Sequence, residues 1–83
     1  MVHIARSARQ LGNIIQRTRK QKGLTQTDLA NVTGLRQELI SRIETGHEGA
    51  KLSAIYSLFA ALDLELVIDS RSGRPAPGIE DVF

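Results

Sequence analysis

The stretch Leu24–Glu44, LTQTDLANVTGLRQELISRIE, constrains this chain more than any other. It holds two short amphipathic segments hinged at Val32, Thr33 and Gly34. Each is shorter than the ~12–15 residues an isolated helix needs in water. They can form only if the rest of the chain packs against them. Gln, Thr, Ser and Arg lie between their apolar residues, where a hairpin built solely to fill a core would not require them. Those polar side chains need something to face.

The remainder must supply one small core. The 83 residues leave no room for two, and a chain of this size buries only ~60–65 % of its unfolded surface, so a partner subunit would help. There are no cysteines, which removes disulfides and thiolate metal sites. The N-terminal MVHIARSARQ has no apolar h-region, and no apolar run approaches the ~18 residues of a membrane span. The expectation is a soluble, cytoplasmic protein.

A formal net charge of +2 hides an asymmetry. Residues 1–51 carry nine Lys/Arg against four Asp/Glu, a balance of +5, and residues 52–83 carry two against five, a balance of −3. The positive field belongs to the part that contains the hinged segments. A polyanion is one candidate for what they face; a solvated surface of mixed charge is the other.

Ser7 with Gln10 fits a capping box that opens a first helix. Ala8, Leu11, Ile14, Ile15 and Thr18 then recur at helical spacing, with Arg9, Arg17 and Lys20 off that stripe. The helix should end near Lys22, with Gly23 as a left-handed exit. Thr25 with Asp28 is a second capping-box start, and Leu29, Ala30 and Val32 form the inner face of a short second helix. Gly34 turns the chain into a third helix that runs to about Glu44, with Leu35, Leu39, Ile40 and Ile43 apolar. Glu38 and Arg42 stand in the favourable i,i+4 order on it. After the loop TGHEGAK, Leu52, Ile55, Leu58, Phe59 and Leu62 make a fourth helix.

The period changes after Asp63. LELVID alternates as a strand does, and a lone strand must pair outside its own chain, most simply with a second copy. The expected organisation is an N-terminal arm (1–6), a helical domain (7–62), a dimerising strand (63–70) carrying Leu64, Leu66, Val67 and Ile68, and a flexible polar tail (71–83) that ends in IEDVF.

A helix-turn-helix needs a tight turn between two helices, the second free to enter a major groove while the first braces it on the backbone. Gly34 permits the turn, and Leu29, Ala30, Leu35, Ile40 and Ile43 can hold the pair to its neighbours. Arg36, Gln37 and Ser41 are then displayed, and these types suit base edges: Gln pairs with adenine, Arg with guanine, and Ser adapts. Gln26 and Thr27 stand at a helix N-terminus that attracts phosphate. The plain alternative is an αα-hairpin within any small helical protein.

The residues RKQKGLTQTDLANVTGLRQELISRIETG resemble the helix-turn-helix of the Xre/Cro–CI repressor superfamily. Shared features are an Arg or Lys in the first helix, Gly-Leu-Thr-Gln, Leu-Ala, a Gly-containing turn, then Ser, an apolar residue and Glu-x-Gly. The likeness covers residues 7–62. It implies an all-α, four- to five-helix, lambda-repressor-like domain, to which the lone C-terminal strand, expected to pair across a homodimer, would be appended. It implies base reading by Arg36, Gln37, Glu38, Ser41 and Arg42. Phosphate contacts are expected from Thr25, Gln26, Thr27, Thr45, Lys51 and Arg19, with Arg19 also linked to Glu44. A carboxylate at Glu38 departs from what a phosphate-lined groove favours, unless it accepts from cytosine N4 or simply holds Arg42.

Four helices followed by one short strand and a polar tail resemble HipB-type antitoxins. That likeness implies a dimer on double-stranded operator DNA arranged as an inverted repeat, and a HipA-like Ser/Thr kinase toxin as second partner. Ile79, Val82 and Phe83 of the tail are candidates for docking that toxin; an inert tail is the plain alternative. A stand-alone transcriptional repressor, or an interaction module that does not bind DNA, are rival readings. No enzymatic constellation is apparent: His3 and His47 are isolated, and no nucleophile motif, paired carboxylates or phosphate-cradling loop stands out. No cofactor or metal is expected.

Overall fold

The computed structural model describes residues 2–70 and, within them, four helices: α1 (Ala8–Gln21), α2 (Gln26–Thr33), α3 (Gln37–Glu44) and α4 (Leu52–Ala61). Their starts follow local chemistry. Ser7 Oγ accepts from the Gln10 N–H at 3.1 Å, as expected, but Gln10 Oε1 reaches the Arg6 N–H and not that of Ser7. Thr25 and Asp28 form the full reciprocal box, with bonds of 2.9 and 3.0 Å. The N-terminus of α3 has no side-chain cap, which leaves Arg36 at that position unengaged.

Three helices end in the same way. After α1, Gly23 and Leu24 donate back to the Lys20 and Arg19 carbonyls; after α3, Gly46 and His47 donate to Ile43 and Arg42. These paired bonds fill carbonyls that a helix end leaves open, and they need a left-handed residue at the exit. Gly23 has φ 72° and Gly46 φ 99°. After α4 the position falls to Asp63, at φ 58°, a residue type that tolerates this region better than most. Leu64 then folds back, donating to the Phe59 carbonyl at 2.7 Å.

The core is Ile15 of α1, Leu29 of α2, Ile40 and Ile43 of α3, and Ile55, Leu58, Phe59 and Leu62 of α4 and its end. Two residues expected to face inward do not. Val32 is 69 % exposed and Leu52 62 % exposed. In a two-turn helix, Leu29 and Thr33 occupy the inner row, so Val32 is rotated to the flank. Leu52 opens α4 a turn before that helix reaches the core.

The alternating segment after Asp63 forms no strand ladder among the described residues. Leu64 packs against the core, whereas Leu66, Val67 and Ile68 are 50, 76 and 89 % exposed. A strand that needs a second copy has no partner within one chain. The fold is therefore all-α in the single chain, with four helices and not five among the described residues. The expectations at Ile79, Val82 and Phe83 lie outside those residues.

One contact sets the distance between α1 and α3. A Cβ at Gly12 would stand 2.8 Å from the Glu44 carbonyl oxygen and closer still to that of Ile43. Both are backbone atoms and cannot swing aside, so only glycine lets the two helices approach this closely. Gly12→Ala should cost ~1–3 kcal/mol through overpacking. It should appear as a lower urea midpoint with unchanged slope; a wild-type midpoint would mean that α1 and α3 are not locked there.

Candidate nucleic-acid interface

The outer face of α3 is built by its period. Ile40 and Ile43 point into the core, so Gln37, Glu38, Ser41 and Arg42 fall on the opposite side. Gln37, Glu38 and Arg42 are exposed and Ser41 is half-buried; Arg36, just before the helix, is exposed. The five residues expected to read bases thus share one surface.

Beneath that surface lies a buried ion pair. Arg19 Nε donates to Glu44 Oε2 at 2.7 Å, and Nη2 donates to Oε1 at 3.0 Å. The Glu44 side chain is 0 % exposed and that of Arg19 is 9 % exposed. Arg19 Nη1 also donates to the Leu24 carbonyl at 2.8 Å, pinning the link between α1 and α2. No buried side-chain nitrogen or oxygen among the described residues lacks a partner. Donating to the Glu44 carboxylate holds the Arg19 guanidinium above its ordinary pKa.

The pair extends outward through two glutamines. Gln26 Nε2 donates to Glu44 Oε1 at 3.0 Å, and Gln37 Nε2 donates to Gln26 Oε1 at 2.6 Å. A chain of hydrogen bonds therefore runs from Arg19 in the interior to Gln37 on the outer face. Gln37 keeps its own carbonyl oxygen and one N–H for a ligand, the acceptor–donor pair that an adenine edge requires. The sequence placed Gln26 against phosphate and did not foresee this second task. The signal was there: each glutamine is the first residue of its helix, and the two are joined by one tight turn.

The remaining expectations divide. Thr25, Gln26 and Thr27 do stand at the start of α2, where the capping box satisfies Thr25 and Asp28. The first-turn N–H groups of Gln26 and Thr27 remain at the positive end of the helix. Lys51 is exposed at the start of α4. Arg19 gives three donations to protein, so its first role is structural. Thr45 does not stand free as a donor: its hydroxyl is turned back to the Ser41 and Arg42 carbonyls, at 3.1 and 3.0 Å, and its N–H is spent on the same two. The Glu38–Arg42 pair does not form, since Arg19–Glu44 is the ion pair among the described residues. Both side chains are exposed, where such a pair gains only ~0.3–0.5 kcal/mol and must be ordered to gain it. Glu38 lies instead in the first turn of α3, which favours a negative charge.

The family described as helix-turn-helix matches residues 15–68. Antitoxin HipB of Escherichia coli K12 is 30 % identical over 70 residues, spanning 83 % of this chain and 80 % of HipB. This chain belongs to the helix-turn-helix family that includes HipB. A chain of the HipA-HipB-O2-O3 complex superposes with a TM-score of 0.78 at 27 % identity, covering 84 % of this chain and 99 % of that one. SinR, a master regulator for biofilm formation solved in complex with DNA, superposes at 0.61 with 27 % identity, over 66 % of this chain and 89 % of SinR. The fold is thus a helix-turn-helix DNA-binding fold of the Xre type. Among the described residues, no group of His, Asp and Glu is arranged to hold a metal, and no helix is long and apolar enough to cross a membrane.

Removing one partner of the ion pair strands a buried charge. Glu44→Ala should destabilise the domain by ~3–5 kcal/mol, measured by urea denaturation; a loss below ~1 kcal/mol would mean that the pair is solvated. The pH dependence follows from the directions of the shifts. Arg19 is raised, so its contribution is complete below the unfolded-state value and constant through neutral pH. Asp28 is lowered by its bonds to Thr25, so its cap is present at neutral pH and is lost only as pH falls through its depressed folded value.

Proposed function

We propose that this chain is the DNA-binding antitoxin of a toxin–antitoxin pair, repressing its own operon as a homodimer and binding a HipA-like Ser/Thr kinase. The observation that carries the DNA part is the hydrogen-bonded path from Arg19 and Glu44 through Gln26 to Gln37. It fixes a base-reading side chain before any ligand arrives, and such preorganisation favours affinity.

In this reading Arg36, Gln37 and Ser41 read base edges, flanked by Glu38 and Arg42. Thr25, Gln26, Thr27 and Lys51 meet phosphates that set orientation and salt dependence. Leu64, Leu66, Val67 and Ile68 pair with the same segment of a second copy, which removes the exposed apolar side chains from water. Two recognition helices then read an inverted repeat with half-site centres roughly 34–36 Å apart or a multiple of that. The kinase partner is supported by the near-complete coverage of a chain from the HipA-HipB-O2-O3 complex. Ile79, Val82 and Phe83 are its proposed docking residues. The protein acts in the cytoplasm, on DNA. A second reading, a regulator without a toxin, is favoured by the similarity to SinR.

Gln37→Ala should cost ~1–3 kcal/mol on the promoter of its own operon and little on random duplex, measured by fluorescence anisotropy. Equal losses on both would remove Gln37 from base reading. Co-expression with the product of the adjacent gene separates the two readings: co-purification of a HipA-like kinase supports the antitoxin, and its absence favours the lone regulator.

A further inference from the structure

Residues 1–27 contain no Asp or Glu and six Lys or Arg. Arg19 is the one of these that forms an ion pair among the described residues. Two of the others have a structural reason for their position. Lys20 lies in the last turn of α1 and Lys22 caps it, where the helix dipole favours positive charge. Arg9 is placed against that preference. It is the second residue of α1, whose first turn carries no acid, so its charge faces the positive end of the helix and costs helix stability.

Arg9 also has a defined neighbour. A Cβ at Gly46 would stand 3.2 Å from Arg9 Cα and 3.3 Å from its Cβ. The first turn of α1 is therefore packed against the loop that leaves α3, one residue beyond Thr45. Thr45 itself has spent both its donors on the helix end. Arg9, next to Gly46, is exposed, and its guanidinium has donors to offer.

We infer that Arg9 is a DNA-backbone contact, clamping a phosphate at the C-terminal side of the recognition helix in place of Thr45. The inference rests on the DNA-binding reading above and adds to it a residue that sets affinity without reading sequence. Charge complementarity selects the occupant: a guanidinium forks onto phosphate oxygens, and the cost of its position in the helix is offset only when an anion is bound.

The test uses the full chain, with its own promoter duplex and a scrambled duplex as probes, across a salt series. Arg9→Ala should reduce the slope of log affinity against log salt by about 0.9 per half-site and weaken both duplexes by the same factor, roughly three- to tenfold. Its melting temperature should hold or rise, because the unfavourable charge is gone. Arg17→Ala, on the outer side of α1, is the comparison and should retain its slope. An unchanged slope for Arg9→Ala, while the wild type still prefers its promoter, overturns the inference and leaves the DNA reading standing. So does an equal loss in Arg17→Ala, which would indicate a diffuse field. Weakened kinase binding with unchanged DNA binding would assign Arg9 to the protein partner and overturn it too. A wild type with no preference for its promoter defeats the DNA reading and the inference together.

Discussion

The buried pair between Arg19 and Glu44 is the interaction on which the rest of the molecule depends. Taking two charges out of water is costly unless geometry and hydrogen bonds offset it, and an apolar pair of similar volume often serves stability as well or better. Stability alone therefore does not explain a carboxylate in this core. What an apolar side chain cannot do is accept from Gln26. Glu44 receives Arg19 twice and Gln26 once, so the position of the interior carboxylate is passed to Gln26 and from there to Gln37. A rotamer on the proposed DNA-facing surface is thereby set from inside the domain.

That arrangement requires α1 and α3 to stay close. Gly12 removes the side chain that would hold them apart, and the Gly46 exit returns the chain along the start of α1. The other helices contribute mainly a frame. With eight to ten residues each, α2, α3 and α4 are too short to persist alone, and their caps, exits and shared core hold them together. The left-handed Asp63 ends α4 and folds Leu64 back onto Phe59, while Leu66, Val67 and Ile68 beyond it are left exposed. A second copy is the proposed cover for those residues.

Much of this was legible in the residues. Capping pairs located the helix starts because a hydroxyl or carboxylate three residues from a partner has few other uses. Gly23 and Gly34 marked exits, and the apolar periodicity identified Ile15, Leu29, Ile40, Ile43, Ile55 and Leu58 as core. The link between Arg19 and Glu44 came from family resemblance, since 25 residues of separation carry no local signal. Other features were hidden for definite reasons. Val32 and Leu52 obey helical spacing, yet short helices bury only the row that meets a neighbour. Glu38 and Arg42 have the right spacing for an ion pair, but exposure leaves little to hold it closed. Gly12 inside a helical pattern was a sign of close approach whose partner only the fold reveals. Gln26 was read for its own helix end, although its side chain bridges two elements.

The central claim is that the core pair positions the reading surface and does more than stabilise. It is tested most directly by replacing both charges together, Arg19→Met with Glu44→Leu, and measuring the ratio of promoter to random-duplex affinity alongside the urea midpoint. An apolar pair should keep the domain folded, with a midpoint near that of the wild type, while the affinity ratio falls because Gln26 has lost its acceptor and no longer holds Gln37. A folded double variant that keeps the wild-type ratio would contradict the account and leave the ion pair with a purely structural role.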